Sequence, residues 1–186
     1  MPLYKMAFMK KQNRRLFFIT GVLCLLPVFL WGCGYSFASR GENIDHRIQK
    51  VYVESFENRT AQAQIENYVR MAFINQFIQN SRFKIAPGAQ SADAIVRGKI
   101  VNLHTSPLSH LKNDLAAEER ATMTMEVVFE DSATGKIIWS SNNITDSADY
   151  TLDSDINMLP STRKQALTKL ANDMAEKAFN LMMSGF

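Results

Sequence analysis

Apolar and polar positions alternate most regularly between residues 120 and 130. Every second residue there is apolar, which is typical of a strand with one face on a core and the other on water or a partner. These apolar residues are Ala121, Met123, Met125, Val127 and Phe129. Residues 94–103 alternate in the same way, and β-branched or aromatic runs predict further strands at 48–56 and 83–85.

Two stretches repeat their apolar residues at helical spacing. The first predicts a helix from residue 65 to about residue 80, with Thr60 as a possible N-cap. Its apolar stripe consists of Ile65, Tyr68, Val69, Ala72, Phe73 and Phe77. The second helix follows a capping-box pattern formed by Thr162 and Gln165, and Gly185 can end it. Its stripe consists of Leu167, Leu170, Ala171, Met174, Ala178, Leu181 and Met182.

The connections between these elements predict the architecture. Residues 131–135, Asp-Ser-Ala-Thr-Gly, predict a hairpin loop into a strand at 136–140. The polar stretches 106–119 and 142–161 predict two long loops at the ends of a sheet, where function is often located. The element order, β-α-β-β-β-β-α, predicts one α+β domain. We expect a two-layer sandwich with two helices packed on a mostly antiparallel sheet of four to five strands.

The first 32 residues have the layout of a secretory signal. Lysines and arginines precede an apolar run of 15 residues, from Leu16 to Leu30. As a helix this run would be about 22 Å long, against roughly 30 Å for the hydrocarbon core of a membrane. The length therefore argues against a permanent transmembrane anchor. Either Met1 or Met9 can serve as the start of this signal.

The residues that follow the apolar run determine the type of signal. Leu30-Trp31-Gly32-Cys33 resembles a bacterial lipobox, with an aliphatic residue at −3, a small residue at −1 and the acceptor cysteine. Trp31 departs from the usual small residue at −2. The resemblance implies cleavage after Gly32, a diacylglyceryl thioether on Cys33 and N-acylation of the new terminus. The alternative is an ordinary signal peptide followed by a buried cysteine.

This processing would leave residues 33–186 as a single mature domain, after removal of the signal at residues 1–32. The lipid on Cys33 would be covalent, and we expect no dissociable cofactor. Each buried CH₂ group contributes about 0.8 kcal/mol, so several acyl chains anchor far better than one. Gly34 occupies the position where an aspartate would favour retention in the inner membrane, so we expect the outer membrane.

The charges and motifs of the chain exclude several classes of function. Residues 1–32 hold five of the 21 lysines and arginines and no acid, so the mature part has 16 cations against 18 acids. A nucleic-acid-binding protein needs a cationic footprint that this part lacks. The sequence has no nucleophile elbow, phosphate-binding loop or metal-ligand spacing, and His104 and His110 read as exposed loop residues. We therefore expect neither catalytic nor metal-ligating residues.

The residues that follow the lipobox resemble a known family. Cys-Gly-Tyr-Ser-Phe at 33–37, together with residues 48–60 and 92–100, is similar to the lipopolysaccharide (LPS)-assembly lipoproteins of the LptE family. The hairpin that reaches Trp139 and the terminal amphipathic helix extend the resemblance over nearly all of the mature chain. It implies a non-enzymatic lipoprotein, anchored on the periplasmic side of the outer membrane, inside the lumen of the LptD β-barrel. There it would support barrel folding and insertion of LPS into the outer leaflet.

The resemblance also implies candidate LPS contacts. The phosphates of LPS require lysine or arginine partners. Lys112 lies in the predicted loop that matches, by position, the loop where family members have a basic LPS-contacting residue. Arg163 and Lys164 open the last helix near another basic position of the family.

Residues 51–60 also look like the opening strand and turn of two other lipoprotein classes. Curli-secretion-type lipoproteins form an oligomeric secretion channel, and peptidoglycan-synthase activators are binding modules that reach through the periplasm. The Gly34-Tyr35 start and the absence of a long linker after Cys33 favour LPS assembly. The partner recovered from solubilised membranes would separate the three: a large β-barrel, a homo-oligomeric ring or a synthase.

Overall fold

A computed structural model of the chain describes residues 44–80, 82–110, 116–152 and 159–185. The strands are β1 (Lys50–Val53), β2 (Glu57–Asn58), β3 (Lys84–Ile85), β4 (Ala94–His110), β5 (Ala116–Asp131) and β6 (Ile137–Thr151). The helices are α1 (Ile65–Gln79) and α2 (Leu159–Ser184), with a short 3₁₀ helix at Ala89–Ser91. The predicted signal segment, Cys33 and Lys112 lie outside the described residues.

The strands of the described residues form one mixed sheet in the order β3-β1-β4-β5-β6, and β2 pairs with β4. The pairs β1–β3, β1–β4 and β2–β4 are parallel, whereas β4–β5 and β5–β6 are antiparallel. The α+β class with two helices on one sheet is confirmed. The expectation of a mostly antiparallel sheet with four to five strands is corrected to a mixed sheet of six. The parallel pairs arise because α1 forms a crossover between β1 and β3.

The long antiparallel strands replace most of the first predicted loop, 106–119, and half of the second, 142–161. β4 continues to His110, β5 begins at Ala116 and β6 continues to Thr151. A bulge between Ile100 and Asn102 interrupts the alternation of β4, so the apolar pattern stops short of the strand's end. In β6 the residues are largely serine, threonine, asparagine and aspartate, which leave no continuous apolar alternation, and asparagine and aspartate are also depleted in strands.

The two faces of β5 are as the alternation predicts. The five alternating apolar residues from Ala121 to Phe129 are fully buried beneath the helices, which confirms their orientation. Thr122, Thr124, Glu126 and Glu130 lie half-buried on the opposite face. The sheet therefore has one dry face beneath the helices and one polar face.

Both helical stripes are confirmed, but both predicted caps are wrong. α1 begins at Ile65 after Gln64, which has a positive φ of 68° and no side-chain cap. Thr60 instead stabilises the turn before the helix, where its hydroxyl oxygen accepts a hydrogen bond from the Gln62 N–H at 3.2 Å. α2 begins at Leu159, which places Thr162 inside its first turn rather than at the cap.

An aromatic cluster joins the helices to the sheet at the centre of the core. The ring centroid of Phe77 on α1 lies 5.1 Å from that of Phe179 on α2, 5.4 Å from that of Phe83 and 6.2 Å from that of Phe129 on β5. The pairs with Phe83 and Phe179 are edge-to-face, and such pairs add about 0.5–1.5 kcal/mol to the burial of the rings. The cluster fixes both helices on the same sheet face.

Gly98 on β4 marks a close approach of the β1–β2 connection to the sheet. A Cβ at this position would touch the ring of Phe56 and lie 2.6 Å from the carbonyl oxygen of Glu126. We expect Gly98→Ala to lower the free energy of unfolding by about 1–3 kcal/mol, because overpacking forces neighbours to shift. Gly88→Ala is the control, since nothing lies within 4 Å of a Cβ there. Equal denaturant midpoints for the two variants would contradict this packing.

Candidate functional site

A cleft of about 550 Å³ opens where the first turns of α2 meet the ends of β5 and β6. We call it the end cleft. Its less polar lining comes from Tyr68 on α1, Tyr150 on β6, Leu167 on α2 and Leu152 just after β6. Its charged lining comes from Glu119, Arg163 and Lys164.

The start of α2 positions the two cations. Leu167 is 2% exposed and fixes this part of the helix on the core. Arg163 and Lys164 precede it by one turn and are exposed at the cleft. Among the described residues, neither side chain forms a hydrogen bond or an ion pair. As far as the described residues extend, both cations are therefore available to an anionic ligand.

A tyrosine–carboxylate pair also lines the end cleft. Glu119 and Tyr150 are register partners on β5 and β6, and the Tyr150 hydroxyl donates a short hydrogen bond to the Glu119 carboxylate. Burial and the hydrogen bond to Glu119 together raise the pKa of Tyr150 to about 12, while the nearby Arg163 opposes the shift. Tyr150 therefore stays neutral at physiological pH. The lining of the cleft contains two cationic side chains and one carboxylate, that of Glu119. This carboxylate already accepts a hydrogen bond from the Tyr150 hydroxyl.

The structure brings together only part of the predicted site. Arg163 and Lys164 lie side by side at the end cleft, as their sequence positions require. Lys112 lies outside the described residues, in the connection between β4 and β5, so its role stays a prediction. Sequence reasoning missed Glu119 and Tyr150, because both fell within segments predicted as loops.

The described residues contain no group of three or more His, Cys, Asp or Glu side chains arranged to hold a metal ion. Across these same ranges, no helix has both the length and the apolar character needed to span a membrane. The two cations of the end cleft suit a phosphate or carboxylate group, and its aromatic and aliphatic lining suits an adjoining apolar or sugar moiety.

Known lipoproteins share this arrangement of two helices on one sheet face. The fold is similar to that of a candidate lipoprotein from Caulobacter crescentus CB15, at 10% identity and a TM-score of 0.51, over 70% of this chain and 89% of that one. It is also similar to lipoprotein B from Nitrosomonas europaea, at 13% identity and a TM-score of 0.50, over 74% of this chain and 84% of that one. These likenesses show a shared fold.

The family follows from the sequence of the same domain. The model of the LptE family, described as lipopolysaccharide-assembly, matches residues 48–182, and the chain belongs to that family. It is therefore an LPS-assembly lipoprotein of a non-enzymatic family. The comparison with curated protein sequences finds no match. The family match favours LPS assembly over the curli-secretion and synthase-activator alternatives.

Proposed function

We propose that this protein is the lipid-anchored partner of an LptD-type β-barrel in the outer membrane of a Gram-negative bacterium. It aids assembly of the barrel and insertion of LPS into the outer leaflet. The observation that carries this proposal is the family match over residues 48–182, which spans all the described strands and nearly all of α2. The acyl chains on Cys33 hold the domain at the periplasmic side of the membrane.

The end cleft supports a direct contact with LPS. The lipid A part of LPS combines phosphate groups with sugars and acyl chains, and the cleft combines cations with an apolar lining. Arg163 and Lys164 would bind a phosphate through charge-assisted hydrogen bonds, which are about twice as strong as neutral ones. Lys112 is the third proposed contact, on the connection that leads into β5.

Reversing both cleft charges tests this contact. We expect the double variant Arg163→Glu and Lys164→Glu to weaken LPS binding by the purified protein about tenfold or more. Tenfold corresponds to about 1.4 kcal/mol. Both side chains are exposed, so the unfolding midpoint should change little. Binding is measured by titration with purified LPS at fixed salt, because charge contacts are screened by ions.

The matched control reverses two exposed lysines away from the cleft, Lys84 and Lys136, to glutamate. Both double variants change the net charge equally, so a general electrostatic effect would weaken LPS binding to the same extent in both. The proposal requires a loss confined to the cleft variant. Wild-type affinity in that variant would place the LPS contact elsewhere and leave the barrel partnership standing.

A further inference from the structure

Glu119 places a carboxylate on the core-facing side of β5. Side chains alternate between the two faces of a strand, so Glu119 lies on the same face as Ala121 and Met123. This row continues to Phe129, and each of its other members is apolar and fully buried. Glu119 is half-buried at the end of the row, where the end cleft opens. A carboxylate in this position requires hydrogen-bond donors, because burial removes water from it.

The fold satisfies only one of the two oxygens of this carboxylate. The Tyr150 hydroxyl donates its hydrogen bond to Oε2 of Glu119. Among the residues that the structure describes, no donor reaches Oε1 and no cation forms an ion pair with Glu119. A ligand that enters the cleft and displaces water from Oε1 therefore has to bring a donor of its own.

Tyr150 holds the carboxylate in this orientation. Its side chain is 8% exposed, and it is the register partner of Glu119 on β6. Its hydroxyl is neutral at physiological pH, so it remains a donor to the carboxylate, and such charge-assisted bonds are strong. The rings of Tyr150 and Tyr68 also line the cleft, where they offer an apolar surface to the carbon atoms of a sugar.

The two cations of the cleft do not by themselves distinguish one phosphate ligand from another. Arg163 and Lys164 attract a phosphate through charge, and both LPS and ordinary phospholipids carry phosphate groups. In lipid A the phosphates are attached to sugars, whose hydroxyl and amide groups are hydrogen-bond donors. Phosphatidic acid carries a phosphate without a sugar. Discrimination between the two therefore depends on a group that needs the donors of the sugar.

We infer that Glu119 is the specificity-determining residue of the end cleft, an inference that rests on the proposed function. Its Oε1 accepts a hydrogen bond from a sugar hydroxyl or amide while Arg163 and Lys164 hold the adjoining phosphate. A phosphate without a sugar leaves Oε1 unpaired and places a second negative charge near the carboxylate, and both effects oppose binding. A site that bonds a ligand hydroxyl or N–H strongly rejects analogues that lack it.

Replacing Glu119 with glutamine tests the inference. The amide oxygen can still accept the hydrogen bond from Tyr150, while the amide NH₂ replaces Oε1 and so turns an acceptor into a donor. Affinities are measured by titrating the purified lipoprotein with micelles of one detergent that contain either LPS or phosphatidic acid. We expect the wild type to bind LPS about tenfold or more tightly than phosphatidic acid. The variant should bind the two ligands with affinities within about threefold of each other.

Glu176→Gln is the matched control, because Glu176 is exposed farther along α2 and the change in net charge is the same. It should keep the wild-type preference, and both variants should keep the wild-type thermal midpoint within a few degrees. Retention of the preference by Glu119→Gln overturns the inference and leaves the proposed function standing, as does an equal loss in both variants. A wild type that binds both ligands equally also overturns it. A wild type without affinity for LPS overturns both the inference and the proposed LPS contact.

Discussion

Replacing Cys33 with serine is expected to abolish lipid attachment completely. The variant should accumulate as an uncleaved precursor and take up no radiolabelled palmitate, because the diacylglyceryl group is transferred to a thiol and processing follows that transfer. The apolar run before Cys33 is too short to hold the protein in a membrane as a spanning helix. Loss of the acyl chains should therefore also remove the mature form of the protein from the outer membrane.

Cys24 provides the matched control for this experiment. It is the other cysteine of the chain and lies within the apolar run that the predicted processing would remove. Cys24→Ser should be cleaved and labelled as the wild type is. Normal cleavage of Cys33→Ser would show that the first 32 residues are an ordinary signal peptide and that the lipobox assignment is wrong.

Truncating Phe77 is expected to be the most damaging single change in the folded domain. Its ring is fully buried and contacts three other phenylalanines from a β-strand, the other helix and the segment before β3. A buried Phe→Ala change typically costs about 3–5 kcal/mol, from lost transfer energy and the cavity that remains. Since domains of this size are stable by about 5–15 kcal/mol, Phe77→Ala should leave a substantial unfolded fraction.

The neighbouring Ile78→Ala variant is the control for this measurement. Ile78 is 61% exposed, so its removal leaves no internal cavity and exchanges isoleucine for a better helix former. Denaturant unfolding of the purified proteins in mild detergent should show a large drop in midpoint for Phe77→Ala alone. Similar midpoints for the two variants would mean that α1 does not bury Phe77 as described.

The buried residues of the core could be predicted from the sequence because their characteristic spacing repeats within a single strand or helix. The alternation around Met123 and Met125 and the helical spacing from Ile65 to Phe77 each reflect one buried face, and both predictions are confirmed. The outer halves of β4 and β6 were missed because neither carries a continuous apolar alternation. Their strand structure depends on pairing with β5, which is a non-local contact that a window of sequence does not contain.

The end cleft could be predicted only in part, for the same reason. Arg163 and Lys164 stand out in the sequence as adjacent cations at the start of a helix. Their companions Glu119 and Tyr150 come together only through the β5–β6 register, and Tyr68 comes from a helix about a hundred residues earlier. The two cations of the cleft could therefore be predicted from the sequence, whereas the other lining residues could be identified only from the fold.

Depletion of the protein in its native host tests the central claim most directly. The measured quantity is the amount of correctly folded, correctly oxidised LptD-type barrel in the outer membrane, with permeability of that membrane followed in parallel. The proposed function predicts that the folded barrel declines as the lipoprotein is depleted and that permeability rises with its loss. Unchanged levels of the folded barrel and an intact permeability barrier after full depletion would contradict it.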